Sequence, residues 1–106
     1  MGDYDFSTAV ASRVASSDRV VHRHDVVPHL PFCFGKADCR KKPGDPYHYG
    51  TEVWYTSTIA AGANFTVCDG SGEDMECSNS LFPDFSALDH CNYFMTNTCG
   101  GCCTLL

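Results

Sequence analysis

The chain has 106 residues, 43% of them hydrophobic, with 13 acidic side chains against 7 basic ones and a formal net charge of −6. That length holds one domain at most, and such a domain buries roughly 60–70% of its unfolded surface. An acidic chain without a basic stripe argues against a nucleic-acid binder, and no apolar run approaches the roughly 18 residues of a membrane span.

In chain order, residues 5–15 read as a helix. Phe6, Ala9, Val10 and Val14 recur every three or four positions, and Asp5 or Ser7 is the expected cap. Residues 19–24 read as a strand with Val20, His22 and His24 on one side and Val21 and Arg23 on the other. Helix then strand is one step of an α/β sheet. Pro28 and Pro31 are expected to hold residues 26–32 extended, and residues 33–46 are turn-rich and basic. Residues 51–58 form the clearest strand, aromatic and β-branched through Glu52-Val53-Trp54-Tyr55-Thr56. A second short strand at 64–68, after Gly62, predicts an antiparallel hairpin. Residues 69–80 read as a polar loop. Residues 85–94 predict a short helix after Pro83, with Leu88, Cys91 and Phe94 on one face. The tail from Thr98 shows no period, and no repeat or internal boundary divides the chain.

Eight cysteines in 106 residues point to an oxidising compartment and disulfides, and Asn64-Phe65-Thr66 is a glycosylation sequon with the same implication. The N-terminus, Met-Gly-Asp-Tyr-Asp-Phe, is acidic and carries no visible signal peptide. A secreted composition without a leader leads us to expect a native N-terminus further upstream, as in a truncated gene model or splice form. A short cytosolic protein with free thiols is the alternative.

Two tracts carry candidate chemistry. Arg19-Val20-Val21-His22-Arg23-His24-Asp25-Val26-Val27-Pro28-His29-Leu30-Pro31 ends a β-branched run on a carboxylate, where open α/β sheets keep their sites. Leu88-Asp89-His90-Cys91-Asn92-Tyr93-Phe94 sets a histidine beside an aromatic pair. Taken singly, Asp25 reads as a turn cap and His90 as a surface or packed histidine. Asp89 is a rival acid, but adjacent side chains point apart, which favours Asp25. His22, His24, His29 and His48, with Cys33 and Cys39 nearby in sequence, raise a zinc reading. They lack a tight Cys-x-x-Cys with a second Cys or His pair, so no metal is expected. Cys99-Gly100-Gly101-Cys102-Cys103 could be a redox or metal tail, though a disulfide or free thiols are the plainer reading.

Taken together, these tracts resemble the class 3 (fungal-type) lipases, serine hydrolases of the α/β-hydrolase fold. Gly2-Asp3-Tyr4-Asp5-Phe6 is similar to the family's helix start, and residues 19–31 to its acid motif. Tyr47-His48-Tyr49-Gly50-Thr51-Glu52-Val53-Trp54-Tyr55 is similar to the edge strand that follows, and Cys77-Ser78-Asn79-Ser80 to a family turn. Asp89-His90 with Tyr93-Phe94 is similar to the tract of the catalytic histidine. The resemblance implies a partial α/β-hydrolase fold, with residues 1–106 the C-terminal portion of one domain. It implies that His90 is the general base and Asp25 the acid that orients it, in the order Ser, acid, His. The implied reaction is hydrolysis of triacylglycerols and other carboxylic esters at a lipid–water interface, with no metal or organic cofactor. The expected full-length protein is extracellular.

The family's nucleophile sits in a Gly-x-Ser-x-Gly elbow, and no such pentapeptide occurs here; Gly70-Ser71-Gly72 is too short. This chain alone is therefore expected not to hydrolyse esters. A non-enzymatic, disulfide-stapled binding module derived from a lipase is the second reading. The resemblance also implies a Cys68–Cys77 disulfide, and Cys33 with Cys39 can close the basic loop in the same local way. Cys99 matches a family cysteine whose partner is expected outside this chain. Cys91, Cys102 and Cys103 are left unassigned.

Overall fold

The computed structural model describes residues 2–33, 39–94 and 96–99. Helix α1 spans Tyr4–Arg13 and is capped by Asp3, whose Oδ1 accepts from the Phe6 N–H at 3.0 Å, rather than by Asp5 or Ser7. Strand β1 (Asp18–His22) follows and runs parallel to β2 (Thr51–Tyr55), in register from Asp18↔Thr51 to His22↔Tyr55. Strand β3 (Thr66–Val67) returns antiparallel to β2, giving the sheet order β1-β2-β3. The α/β step and the hairpin thus form as expected from the β-branched runs. The face of α1 does not: Ser7 is its buried residue, while Phe6 and Val14 are each 46% exposed.

Two segments depart from the sequence reading. Residues 26–32 are not simply extended, because Val27–His29 is a 3₁₀ turn with Pro28 in its first turn, where a missing N–H costs nothing. The helix expected over 85–94 is a 3₁₀ turn at Leu88–Cys91, followed by a small hairpin of β4 (Asn92–Tyr93) and β5 (Thr96–Asn97). The backbone bonds explain this. Ser86 bridges Asp25, its N–H donating to His24 O at 2.7 Å and its carbonyl accepting from Val26 N–H at 3.2 Å. That pins the segment extended before the turn, and a Cys91–Cys99 disulfide folds the chain back after it.

Three disulfides staple the described residues. Cys33–Cys39 and Cys68–Cys77 match the sequence reading. Cys91–Cys99 corrects it, since Cys99 finds its partner within the chain. Cys102 and Cys103 lie outside the described residues. Among the described residues, the buried hydrophobic ones are few (Val21, Cys39, Tyr47, Ile59 and Cys77), and the buried polar ones outnumber them: Ser7, His22, Asp25, His29, His48, Glu52, Glu73 and Ser78. No helix among the described residues is long and apolar enough to cross a membrane.

Candidate active site

Asp25 lies just past the carboxyl end of β1, fully buried, at the bridge with Ser86. A buried carboxylate must have its lone pairs occupied. Here Oδ1 accepts from the Val27 N–H at 2.9 Å, the turn-capping role that a strand-end aspartate plays on its own. Oδ2 is turned the other way. It faces His90 Nδ1 at 3.1 Å, across 65 positions of sequence, and also accepts from the Tyr93 hydroxyl at 2.5 Å. One oxygen of Asp25 thus caps the turn and the other faces the histidine.

His90 stands in the Leu88–Cys91 turn with its side chain 42% exposed, and its Nε2 has no hydrogen-bond partner among the described residues. An imidazole held at one nitrogen by a buried acid, with the other free and accessible, can take and return a proton. Its neighbour Asp89 is occupied elsewhere, its carboxylate accepting from the His24 backbone N–H at 3.1 Å. Of the two carboxylates, it is that of Asp25 that faces the His90 ring.

Tyr93 is the residue that sequence reasoning missed. Its hydroxyl accepts from the His22 N–H at 3.2 Å and donates to Asp25, tying the end of β1 to the acid. Burial, reinforced by the carboxylate of Asp25, pushes the Tyr93 hydroxyl far above its ordinary range, so it remains a donor. Only an aromatic beside the histidine marked it in the sequence. His22 supports the same turn from below, its ring nitrogens facing Asp89 O at 3.0 Å and Ser57 O at 3.2 Å.

The other histidines are dispersed rather than gathered for a metal. His24 Nδ1 is 2.7 Å from Asp84 O. His48 pairs through Nδ1 with Glu73, whose other oxygen accepts from Asn79 Nδ2 at 2.9 Å. Burial alone would raise the Glu73 pKa, but the bonds from His48 and Asn79 outweigh it and hold the carboxyl below its ordinary range. His29, expected to shape its loop, is buried with Nδ1 on Asn79 Oδ1 at 2.8 Å and Nε2 on Ser78 Oγ at 3.1 Å. Among the described residues, each three-ligand group close enough for a cation, Cys33-Cys39-Glu73 and Glu52-Cys68-Cys77, contains a disulfide pair and no histidine. Sulfurs already bonded to each other are not thiolate ligands.

Comparison with known proteins supplies the context for this geometry. The family described as lipase (class 3) matches residues 1–35. A lipase of Caenorhabditis elegans is 37% identical over 114 aligned positions, which cover 89% of this chain and 32% of that protein. The solved triacylglyceride lipase of Rhizomucor miehei superposes with a TM-score of 0.72 at 36% identity, over 95% of this chain and 33% of that one. Another solved triacylglycerol lipase, whose catalytic centre is formed by a serine protease triad, superposes at 0.68 with 35% identity, over 95% of this chain and 33% of its own. The chain therefore spans about a third of the length of these relatives.

Proposed function

Since the chain belongs to the class 3 lipases, as part of one with a partial α/β-hydrolase fold, we propose that it supplies the acid and the base of a Ser-Asp-His ester hydrolase. Residues 1–106 are, in this reading, one portion of a single domain, and the nucleophilic serine comes from outside them. The observation that carries the reading is the bond from His90 Nδ1 to the buried Oδ2 of Asp25 at 3.1 Å, with the rest of the imidazole half exposed.

His90 Nε2 takes the proton from the serine hydroxyl as it attacks the ester carbonyl, and returns it to the departing alcohol. A water molecule then takes the place of the serine, and His90 repeats the two transfers to release the acid. Asp25 fixes the imidazole in the Nδ1–H tautomer and stabilises the imidazolium formed in each step; Tyr93 and Val27 hold Asp25 in place. The substrates are triacylglycerols and related carboxylic esters at a lipid–water interface, in lipid catabolism, and the route uses no metal or organic cofactor. The three disulfides support an extracellular setting. They also favour the second reading, a stapled module that binds without catalysis.

The test has two arms. The purified chain alone is expected to leave tributyrin unhydrolysed; turnover that is abolished by His90→Ala would sink the claim that the nucleophile lies elsewhere. In the active species captured from its natural source with an antibody to residues 33–50 and labelled by a fluorophosphonate, Asp25→Asn should lower kcat by roughly 10⁴-fold with KM little changed. A captured species that takes no label and has the mass of this chain alone favours the binding module.

A further inference from the structure

We propose that Asn64 is an N-glycosylation acceptor and that its glycan covers the exposed apolar edge formed by β3. The inference rests on the extracellular reading above, because the modification and the disulfides require the same secretory compartment.

The sequon Asn64-Phe65-Thr66 has no proline at its centre and falls where a transferase can reach it. Asn64 is exposed, just after a turn closed by the Ala63 N–H on Ala60 O at 3.0 Å and just before β3. Its side-chain amide makes no hydrogen bond among the described residues. Thr66 is exposed as well. Transfer joins the Asn64 amide nitrogen to C1 of a lipid-linked oligosaccharide. The C1–O bond to the polyprenyl diphosphate breaks, the diphosphate leaves, and the amide proton passes to a base of the transferase.

The surroundings give the sugar a purpose. Among the described residues, β3 has β2 on one side and no strand on the other. Val67 in β3 and Phe65 just before it are 61% and 54% exposed, and Phe65 continues an aromatic row through Tyr55 (5.4 Å) to Phe94 (5.6 Å between centroids). An open strand edge flanked by apolar side chains invites pairing with another chain. A bulky hydrophilic group rooted at Asn64, just ahead of that edge, blocks such pairing.

The protein isolated from cells that make it should be digested and mapped, with and without peptide N-glycosidase F, and its disulfides mapped in the same sample. The expected result is an oligosaccharide on Asn64 in most molecules, with Asp at that position after enzymatic release. Asn64→Gln and Thr66→Ala should remove it, whereas Thr66→Ser, which keeps the sequon, should retain it. A bare Asn64 in protein whose Cys68–Cys77 bond is formed would overturn the site while leaving the extracellular reading intact. A bare Asn64 together with free thiols would overturn both. The shielding role predicts more self-association for Asn64→Gln than for the glycosylated chain at equal concentration; equal association overturns that role.

Discussion

His29 has exchanged water for two neutral hydrogen bonds, and the exchange makes the fold sensitive to acid. Asn79 donates its amide to Glu73, so its carbonyl oxygen is the group that accepts from His29 Nδ1–H, and Nε2 is left to accept from Ser78. An imidazolium would lose the second bond. Burial, with the charge of Arg19 adding to it, lowers the His29 pKa from 6.5 to about 4. The folded state therefore binds fewer protons than the unfolded one between these values. Stability from this residue is complete above about pH 6.5 and is lost as pH falls toward about 4, at up to about 1.4 kcal/mol per pH unit. Glu73, also held low, adds a loss of the same sign further down. Urea denaturation from pH 7 to pH 4 should give a falling stability for the native chain and a flatter line for His29→Gln; parallel lines would refute the assignment. The contact between Asp25 and His90 was expected from the sequence, through the resemblance of a strand-end acid and a later histidine beside an aromatic pair to a known order. Tyr93, Asn79 and Glu73 were not, since each acts on a partner that only the fold brings near, Tyr93 across 68 positions.

Elements with a strong local period were read correctly and those fixed by distant bonds were not. The β-branched runs of β1 and β2 carry their own preference for extended structure, and they pair as parallel neighbours. Leu88, Cys91 and Phe94 have helical spacing, but they are not a buried face: Leu88 is 65% and Phe94 46% exposed. The Ser86 bridge, the Asp89 cap on His24 and the Cys91–Cys99 bond override the period. The loop inside the Cys68–Cys77 disulfide shows a further constraint that composition alone hides. Gly72, at φ +86°, passes so close to the preceding strand connection that a Cβ would sit 2.1 Å from the His48 carbonyl oxygen. That approach brings Glu73 beneath His48, whose backbone N–H it accepts at 2.7 Å. Gly44 has a similar φ, +82°, with nothing within 4 Å of a built Cβ. Gly44→Ala should therefore cost only the left-handed conformation, about 1 kcal/mol. Gly72→Ala adds a backbone clash and should cost about 3 kcal/mol or more, with the His48–Glu73 pair disturbed. Equal losses for the two variants in thermal or urea unfolding would show that the close approach has no energetic weight.

At the scale of the molecule, the interior is a polar network stapled by disulfides, and much of the apolar surface is left outside. Phe6 on α1 and Val14 just after it, Leu30 and Phe32 after the Asp25 turn, and Phe82 and Leu88 before His90 are each at least 38% exposed. Phe32, Phe82 and Phe85 touch one another, with ring centroids 5.5 to 6.2 Å apart, so this is a patch rather than scattered side chains. The radius of gyration, 14.0 Å, exceeds the roughly 13 Å of a compact domain of this length. With so little apolar burial, the three short-loop disulfides, each contributing about 2–3 kcal/mol in the chain-entropy model, are comparable with the whole stability of a small domain. Dithiothreitol should therefore unfold the chain cooperatively at 25 °C, with loss of the near-ultraviolet circular dichroism of its buried aromatics. The oxidised chain alone should bind a hydrophobic dye such as anilinonaphthalene sulfonate and gain mass with concentration in light scattering, because nothing among the described residues covers its exposed faces. A monomer of constant mass that binds no dye would mean that these faces need no covering. The chain would then be better described as a self-contained module than as one portion of a larger lipase domain, and Asp25 and His90 would have a buried bond but no serine to serve.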